Sequence, residues 1–187
     1  MVICAYGGAS AHVDPKYIED AYEAGRMIGL AGAGLVYGGG GTGCMGAVGR
    51  GVRDAGGPVT SVLPVFMTRF ETLLKPVTET VVTESMSERK HVMEERADAF
   101  LVLPGGIGTL DEFFETLTLK SLERFSKPIV LLNTNGFFDP LEGLLRDYVS
   151  RGFVNARIPG LIRIEPTPEA AVRFLLGACK KNEEQVE

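Results

Sequence analysis

Hydrophobic positions along this chain alternate between two periods. Short, continuous apolar runs at Val2–Tyr6, Leu35–Tyr37, Val59–Leu63, Ala99–Leu103 and Pro128–Leu132 read as buried strands, and the β-branched run Thr78–Thr83 reads as another. Between them, apolar residues recur at helical spacing: Tyr17, Ala21, Ala24 and Ile28 in one segment, Leu141, Leu144, Leu145, Tyr148 and Val149 in a second, and Val172, Leu175, Leu176 and Cys179 in a third. Punctuation residues agree with this reading. Asp14-Pro15 offers an N-cap followed by proline at the first helical position, and Gly32 and Gly34 stop that helix. A helix from about Cys44 to Ala55 ends at Gly56-Gly57, and Ser85-x-x-Glu88 spells a capping box that opens a helix to about Arg96. Another helix follows Leu103 and runs to about Arg124. Asp139-Pro140 and Thr167-Pro168 begin the last two, and Val65–Pro76 has no clear period and reads as irregular.

Strands apolar on both faces, alternating with helices, predict an α/β fold: a doubly wound parallel sheet with helices on both faces. The 187 residues show no linker or internal repeat. A single domain over residues 1–179 is expected, with a charged tail over 180–187 that frays. Ligands of such sheets bind beyond the carboxyl ends of the strands.

Composition narrows the function classes. The net charge of −5 and the lack of a basic stripe argue against nucleic acid as a partner. Cys4, Cys44 and Cys179 are far apart, and His12 and His91, the two histidines, read as polar surface groups, so no structural metal site is expected. No apolar run reaches the ~18 residues of a membrane helix, and the first strand begins without a basic leader. These features predict a cytoplasmic protein with reduced thiols and no membrane partner. Glycine, 24 of 187 residues, exceeds the usual ~7% and sits mostly in turns and one helix, a sign of close backbone approach.

The most informative stretch is Leu103-Pro-Gly-Gly-Ile-Gly-Thr-Leu-Asp-Glu112. A strand, a glycine-rich turn and a helix start make an anion site, because free amides and the positive end of the helix dipole converge. Gly105, Gly106, Gly108 and Thr109 form the candidate phosphate cradle, with Glu112 beside it in the first turn. Thr109-x-x-Glu112 also spells a capping box, which would make Glu112 structural. The three glycines before it exceed what a cap needs.

An earlier loop, Gly38–Gly46, contains Gly41-x-Gly43-x-x-Gly46, formally a dinucleotide fingerprint. It follows the second strand rather than the first, and Val59–Leu63 ends in proline without an acid to hold a ribose, which argues against NAD. No Lys-Ser or Lys-Thr follows, so a Walker A site is excluded. Gly43, Gly46 and Gly49 share a helix face, predicting packing behind and ligand-facing amides in front. Arg89 and Lys90 open a helix near the second loop; one of them can reach a phosphate or a leaving base, or both can be solvated. A pyridoxal-dependent decarboxylase fares poorly, since Lys90 is the one lysine near a motif.

Together these residues resemble the LONELY GUY family, the cytokinin riboside 5′-monophosphate phosphoribohydrolases, often mislabelled as lysine decarboxylases. Pro104–Glu112 carries the family's P-G-G-x-G-T-x-x-E signature intact; Tyr37–Gly46 matches its glycine loop, and Met86–Met93 its Arg-Lys segment. Ala97-Asp-Ala-Phe100 also fits, and the resemblance spans about Val2 to Tyr148. The chain departs from the family at Ser87, where histidine is usual, at Gly7-Gly8, where Cys-Gly is usual, and across Thr118–Phe125, which lacks the family's Trp and Gln.

The resemblance implies a Rossmann-like homodimer. It implies hydrolysis of the N-glycosidic bond of a purine nucleoside 5′-monophosphate, cytokinin-type or AMP, to free base and ribose 5-phosphate. By residue match, Arg89 and Glu112 become the catalytic pair, and Gly105, Gly106, Gly108 and Thr109 hold the phosphate. Gly8, Ser10, Gly39, Gly40, Gly43, Met86 and Lys90 complete the substrate-binding set. A carboxylate suits this chemistry, because it stabilises an oxocarbenium-like sugar and can orient or deprotonate water. Arg89 stays protonated and can position the substrate or Glu112. The chemistry calls for no metal or organic cofactor. The alternative on the same fold is a non-catalytic nucleotide or molybdenum-cofactor carrier, which needs the cradle but not the pair.

Overall fold

The computed structural model describes residues 1–69 and 72–183. Its strands β1 (Val2–Tyr6), β2 (Gly34–Tyr37), β3 (Val59–Pro64), β4 (Glu79–Thr83), β5 (Ala99–Val102), β6 (Ile129–Leu132) and β7 (Arg163–Glu165) form one sheet in the order β4-β3-β2-β1-β5-β6-β7. Every neighbouring pair is parallel. Helices α1 (Pro15–Leu30), α2 (Gly43–Asp54), α3 (Met86–Arg96), α4 (Ile107–Ser121), α5 (Asp139–Ser150) and α6 (Pro168–Glu183) alternate with the strands, giving the Rossmann-like α/β architecture. The strand order turns back between β1 and β5, which places the topological switch point at the carboxyl edge of the sheet.

Alternate side chains of each central strand enter opposite cores, which is why the strands must be apolar throughout. Ile3, Ala5, Leu35, Leu101 and Val130 pack under α1, α2 and α6. Cys4, Tyr6, Val36, Val62 and Phe100 pack with Met93 of α3, Phe113 and Leu117 of α4, and Phe138. On the first face α1 and α2 touch backbone to backbone. A Cβ on Gly25 would overlap the carbonyl of Val48, and one on Gly51 would overlap that of Tyr22.

Helices α1 and α3 start on the caps that the sequence offers. Asp14 Oδ1 accepts the Lys16 N–H at 2.9 Å, and Ser85 Oγ accepts the Glu88 N–H at 3.1 Å. Glu88 reaches back to the amide of Glu84, at 2.8 Å, one residue before its expected partner. Asp139 is the first residue of α5 rather than its cap, because its carboxylate accepts from Asn133 Nδ2 at 2.8 Å. α4 stops at Ser121, three residues early, and Glu123 takes φ 58° in the turn beyond. β7 escapes the sequence reading because three residues at a sheet edge carry too little apolar pattern. α6 continues to Glu183, past the boundary expected at 179, and the rest of the expected tail, 184–187, lies outside the described residues. No helix among the described residues is long and apolar enough to cross a membrane.

The α1–α2 contact yields a test of the packing. Gly25→Ala forces two backbones apart and should cost roughly 1–3 kcal/mol, several degrees of Tm. Gly143→Ala, on α5 with open space around it, should instead raise Tm slightly through helix propensity. Thermal melts by circular dichroism compare the two, and equal effects would contradict the crossing.

Candidate functional site

The candidate site grows from the start of α4. Gly106 is the N-cap, with extended backbone and no side chain to cap with. The amides of Ile107, Gly108 and Thr109 therefore open the helix without intrahelical acceptors, at the positive end of its dipole. Gly106 and Gly108 have no protein atom within 4 Å of where a Cβ would stand, and neither has a left-handed φ. Neither packing nor backbone conformation calls for glycine there. Gly105 is different: its Cβ would overlap Thr109 Oγ1 and stand 2.7 Å from the Gly8 nitrogen. The Gly8 N–H donates to the Pro104 carbonyl at 3.0 Å, which clamps the loops after β1 and β5 together at the switch point.

This start corrects two expectations about Glu112. The carbonyl of Gly106 accepts the Leu110 N–H at 3.1 Å, so the helix is already under way at Thr109. Thr109 is the third helical residue and Glu112 the sixth, in the second turn. The Thr109–Glu112 capping box does not form, because both residues lie inside the helix.

Glu112 instead faces inward against Arg89, one buried to 6% exposure and the other to 4%. Arg89 Nη2 stands 3.4 Å from Glu112 Oε1. The rest of the guanidinium is anchored: Nε donates to the Val62 carbonyl at 3.2 Å, and Nη1 contacts Met86 Sδ at 3.8 Å. Below Glu112, Thr116 Oγ1 lies 2.9 Å from the Glu112 carbonyl, 3.0 Å from the Tyr6 hydroxyl and 3.4 Å from Glu94 Oε1. This network ties α4 to β1 and α3. Burial pushes the Glu112 carboxyl from its ordinary 4.5 to about 7, and the Arg89 charge pulls it back only in part. Burial likewise raises the Cys4 thiol and the Tyr6 phenol.

The other predicted residues are distributed around this centre. Ser10 is exposed, and its Oγ accepts the His12 N–H at 3.2 Å. Gly8, Ser10, Gly105 and Gly106 join Val13, Tyr17, Cys44 and Phe137 around a cleft of about 270 Å³ beside the cradle. A larger cavity of about 690 Å³, between α1 and the start of α6, shares no lining residue with it. Lys90 turns to Asp111, at 3.1 Å, and Glu115 on the flank of α4.

The earlier glycine loop is stitched shut more than expected. The Gly41 N–H donates to Thr72 at 2.6 Å, the Leu74 N–H donates to Gly39 at 3.2 Å, and Gly40 pairs with Leu73. Gly39, at φ +83°, lies against Ser61 and Leu63. Gly43, at φ +60°, faces the backbone of residues 8–10, where the Met45 N–H donates to the Gly8 carbonyl at 3.1 Å. The ligand-facing amides expected in this loop are thus corrected at Gly41 and Met45, whose N–H groups have protein acceptors. Sequence reasoning missed Val62, which acts through its carbonyl and leaves no side-chain signal. It also missed Tyr6 and Thr116, whose hydroxyls meet only in the folded chain.

A family model described as possible lysine decarboxylase matches residues 45–175. The chain is 39% identical to the cytokinin riboside 5′-monophosphate phosphoribohydrolase LOG of Oryza sativa subsp. japonica, over 91% of this chain and 70% of that protein. It is 40% identical to the cytokinin riboside 5′-monophosphate phosphoribohydrolase of Mycobacterium tuberculosis, over 79% of each. Among solved structures, the molybdenum cofactor carrier protein of Chlamydomonas reinhardtii has a TM-score of 0.71 at 26% identity, covering 94% of this chain and 98% of that one. The molybdenum cofactor binding protein of Rippkaea orientalis, with a TM-score of 0.72 at 22% identity, covers 95% of this chain and 96% of its own and shares the fold.

The buried carboxyl makes stability depend on pH. Its folded-state value, about 7, lies above the ordinary 4.5. Its contribution to stability is therefore fully present below about 4.5 and is lost as pH rises through about 7. Glu112→Gln stays neutral throughout. Its stability relative to the unsubstituted protein should grow between pH 5 and pH 8.5 by an amount on the order of 3 kcal/mol. Urea midpoints across that range measure the difference, and a flat difference would refute the raised proton affinity.

Proposed function

The chain belongs to the LONELY GUY family of cytokinin riboside 5′-monophosphate phosphoribohydrolases, which the possible lysine decarboxylase model also describes, and on that premise we propose that it hydrolyses the N-glycosidic bond of a purine nucleoside 5′-monophosphate. The observation that carries this reading is the buried Arg89–Glu112 pair one helical turn below an open phosphate cradle. Thr109 and Glu112 are three residues apart on α4, about 4.5 Å along its axis, so a phosphate on the loop brings its own ribose over the carboxylate.

In this mechanism the first-turn amides of α4 and Thr109 hold the 5′-phosphate. The C1′–N bond breaks as positive charge develops on the sugar, and the Glu112 carboxylate stabilises that charge. Glu112 also orients the attacking water and takes its proton, while the departing base takes a proton from solvent at nitrogen and Glu112 afterwards returns its own to solvent. The water oxygen bonds to C1′, giving ribose 5-phosphate and free base. Arg89 holds the carboxylate in place and keeps part of its population ionised near neutrality. Lys90, held by Asp111 and Glu115, acts at most from the flank.

A cofactor carrier on the same fold needs the cradle but gains nothing from a desolvated carboxylate at an arginine, and this favours the hydrolase. The working unit of the reading is a homodimer. Phe114, Leu144, Tyr148 and Phe153 form an exposed apolar face across α4, α5 and the following turn, which supports a two-fold contact. A cytoplasmic setting fits the three buried, free cysteines.

Incubation with AMP and with isopentenyladenosine monophosphate, followed by chromatography, should show free base and ribose 5-phosphate without added metal. The matching nucleosides should be far poorer substrates. Turnover should fall as pH drops below about 7, where Glu112 takes up a proton. Glu112→Gln should lose about 10²-fold or more in kcat. Release of CO₂ from lysine, or binding without turnover across a nucleotide panel, would overturn the assignment.

Light scattering should give twice the 20.1 kDa chain mass. Phe153→Asp should shift the particle toward the monomer, and a monomeric unsubstituted protein would rule out the dimer.

A further inference from the structure

Gly38, the residue after β2, is buried, yet its φ lies outside the left-handed region, so backbone conformation does not explain its identity. Space does. A Cβ at Gly38 would overlap Arg89 Nη2 and stand 3.1 Å from Arg89 Cζ and 3.3 Å from Met45 Sδ. The nitrogen it would displace is the one that faces Glu112. We propose that Gly38 is a positioning residue that seats the Arg89 guanidinium against the end of β2 and so aims its Nη2 at Glu112. This rests on the catalytic reading of the Arg89–Glu112 pair.

Three observations make the seat specific. Nε is committed to the Val62 carbonyl on β3, the strand beside β2, at 3.2 Å. Nη1 contacts Met86 Sδ one turn back on α3 at 3.8 Å. Nη2, on the Gly38 side, is the nitrogen left for Glu112. An added methyl at Gly38 therefore pushes the one nitrogen whose place matters, while the other two resist rotation of the whole group. The seat also differs in kind from three of the most crowded glycines. At Gly25, Gly46 and Gly51 an added Cβ would strike backbone, which cannot yield; at Gly38 it strikes the far end of a side chain, which can. Gly38→Ala should therefore fold and shift the cation.

The shift has an electrostatic signature. Glu112 is faced by Arg89 and Lys90 of α3, by Cys4 and Tyr6 of β1, and by Asp111 and Glu115 on α4 itself, with Glu94 of α3 beyond Thr116. Of these, Arg89 is the strongest influence lowering the Glu112 proton affinity. Moving its charge away leaves burial less opposed, and the carboxyl takes up a proton at higher pH.

The experiment compares the unsubstituted protein with Gly38→Ala, Arg89→Ala and the double variant. Gly38→Ala should lose kcat by up to about 10²-fold, as expected for a small misplacement of a positioned group. KM for AMP should stay nearly constant because the phosphate cradle is untouched, and the acid limb of the pH–rate profile should move to higher pH. In thermal melts, the Gly38→Ala effect should disappear in the Arg89→Ala background, since the added methyl then fills vacated space. An unchanged kcat and acid limb in Gly38→Ala would overturn the proposal, as would the same Tm change in both backgrounds. If Gly38→Ala alone does not fold, a folded double variant supports the seat and an unfolded one overturns it. If the unsubstituted protein hydrolyses no nucleotide, the catalytic reading fails, while the melts still decide whether Gly38 seats Arg89.

Discussion

Close backbone approach at the carboxyl end of β1, β2 and β5 is the constraint on which the rest of this structure depends. The loop after β1 lies against the loop after β5, with the Gly8 N–H on the Pro104 carbonyl and Gly105 against Gly8. The same loop lies across the start of α2, where Gly43 leaves room for residues 8–10. These contacts draw three helix starts and three strand ends into one region, and a side chain at these positions would separate them. Glycine at Gly8, Gly43 and Gly105 is thus a geometric requirement of this approach.

Electrostatics follow from that crowding. Packing around Glu112 excludes water from it, so the carboxyl takes up its proton near pH 7, above the ordinary 4.5, despite the arginine beside it. Such a group costs the fold stability when ionised; its backbone carbonyl is held by Thr116, which Tyr6 and Glu94 hold in turn, and its carboxyl faces Arg89. Arg89 is anchored with similar care, at one strand carbonyl and one thioether. A buried pair arranged in this way has little reason to exist for stability alone, since an apolar pair of similar volume would serve as well.

The architecture is shared with cofactor carriers, so the sheet and the cradle do not separate binding from catalysis. The proposed hydrolysis rests instead on the desolvated carboxyl beside the loop. The glycines divide along the same line. Gly25, Gly46 and Gly51 answer to neighbouring backbone, Gly38 to a guanidinium, and Gly106 and Gly108 to nothing in the protein itself.

Much of this was legible in the sequence. Six of the seven strands, the order of the helices, the Pro104–Thr109 loop as a helix start and Glu112 beside it follow from periodicity, punctuation and motif, all properties of neighbours along the chain, while Arg89 as the partner of Glu112 comes from the family resemblance. Tertiary structure decided the rest. It placed the start of α4 at Gly106 and so removed the cap explanation for Glu112, closed the Gly38–Gly43 loop on Thr72–Leu74, and turned Lys90 toward Asp111 and Glu115. It also added β7 and brought the Val62 carbonyl and the bare face of Gly38 against one guanidinium. The division has a physical cause. Hydrophobic period and turn chemistry act over a few residues, whereas desolvation, the space around a missing Cβ and the partner of a carbonyl are set by whichever segments the sheet brings together.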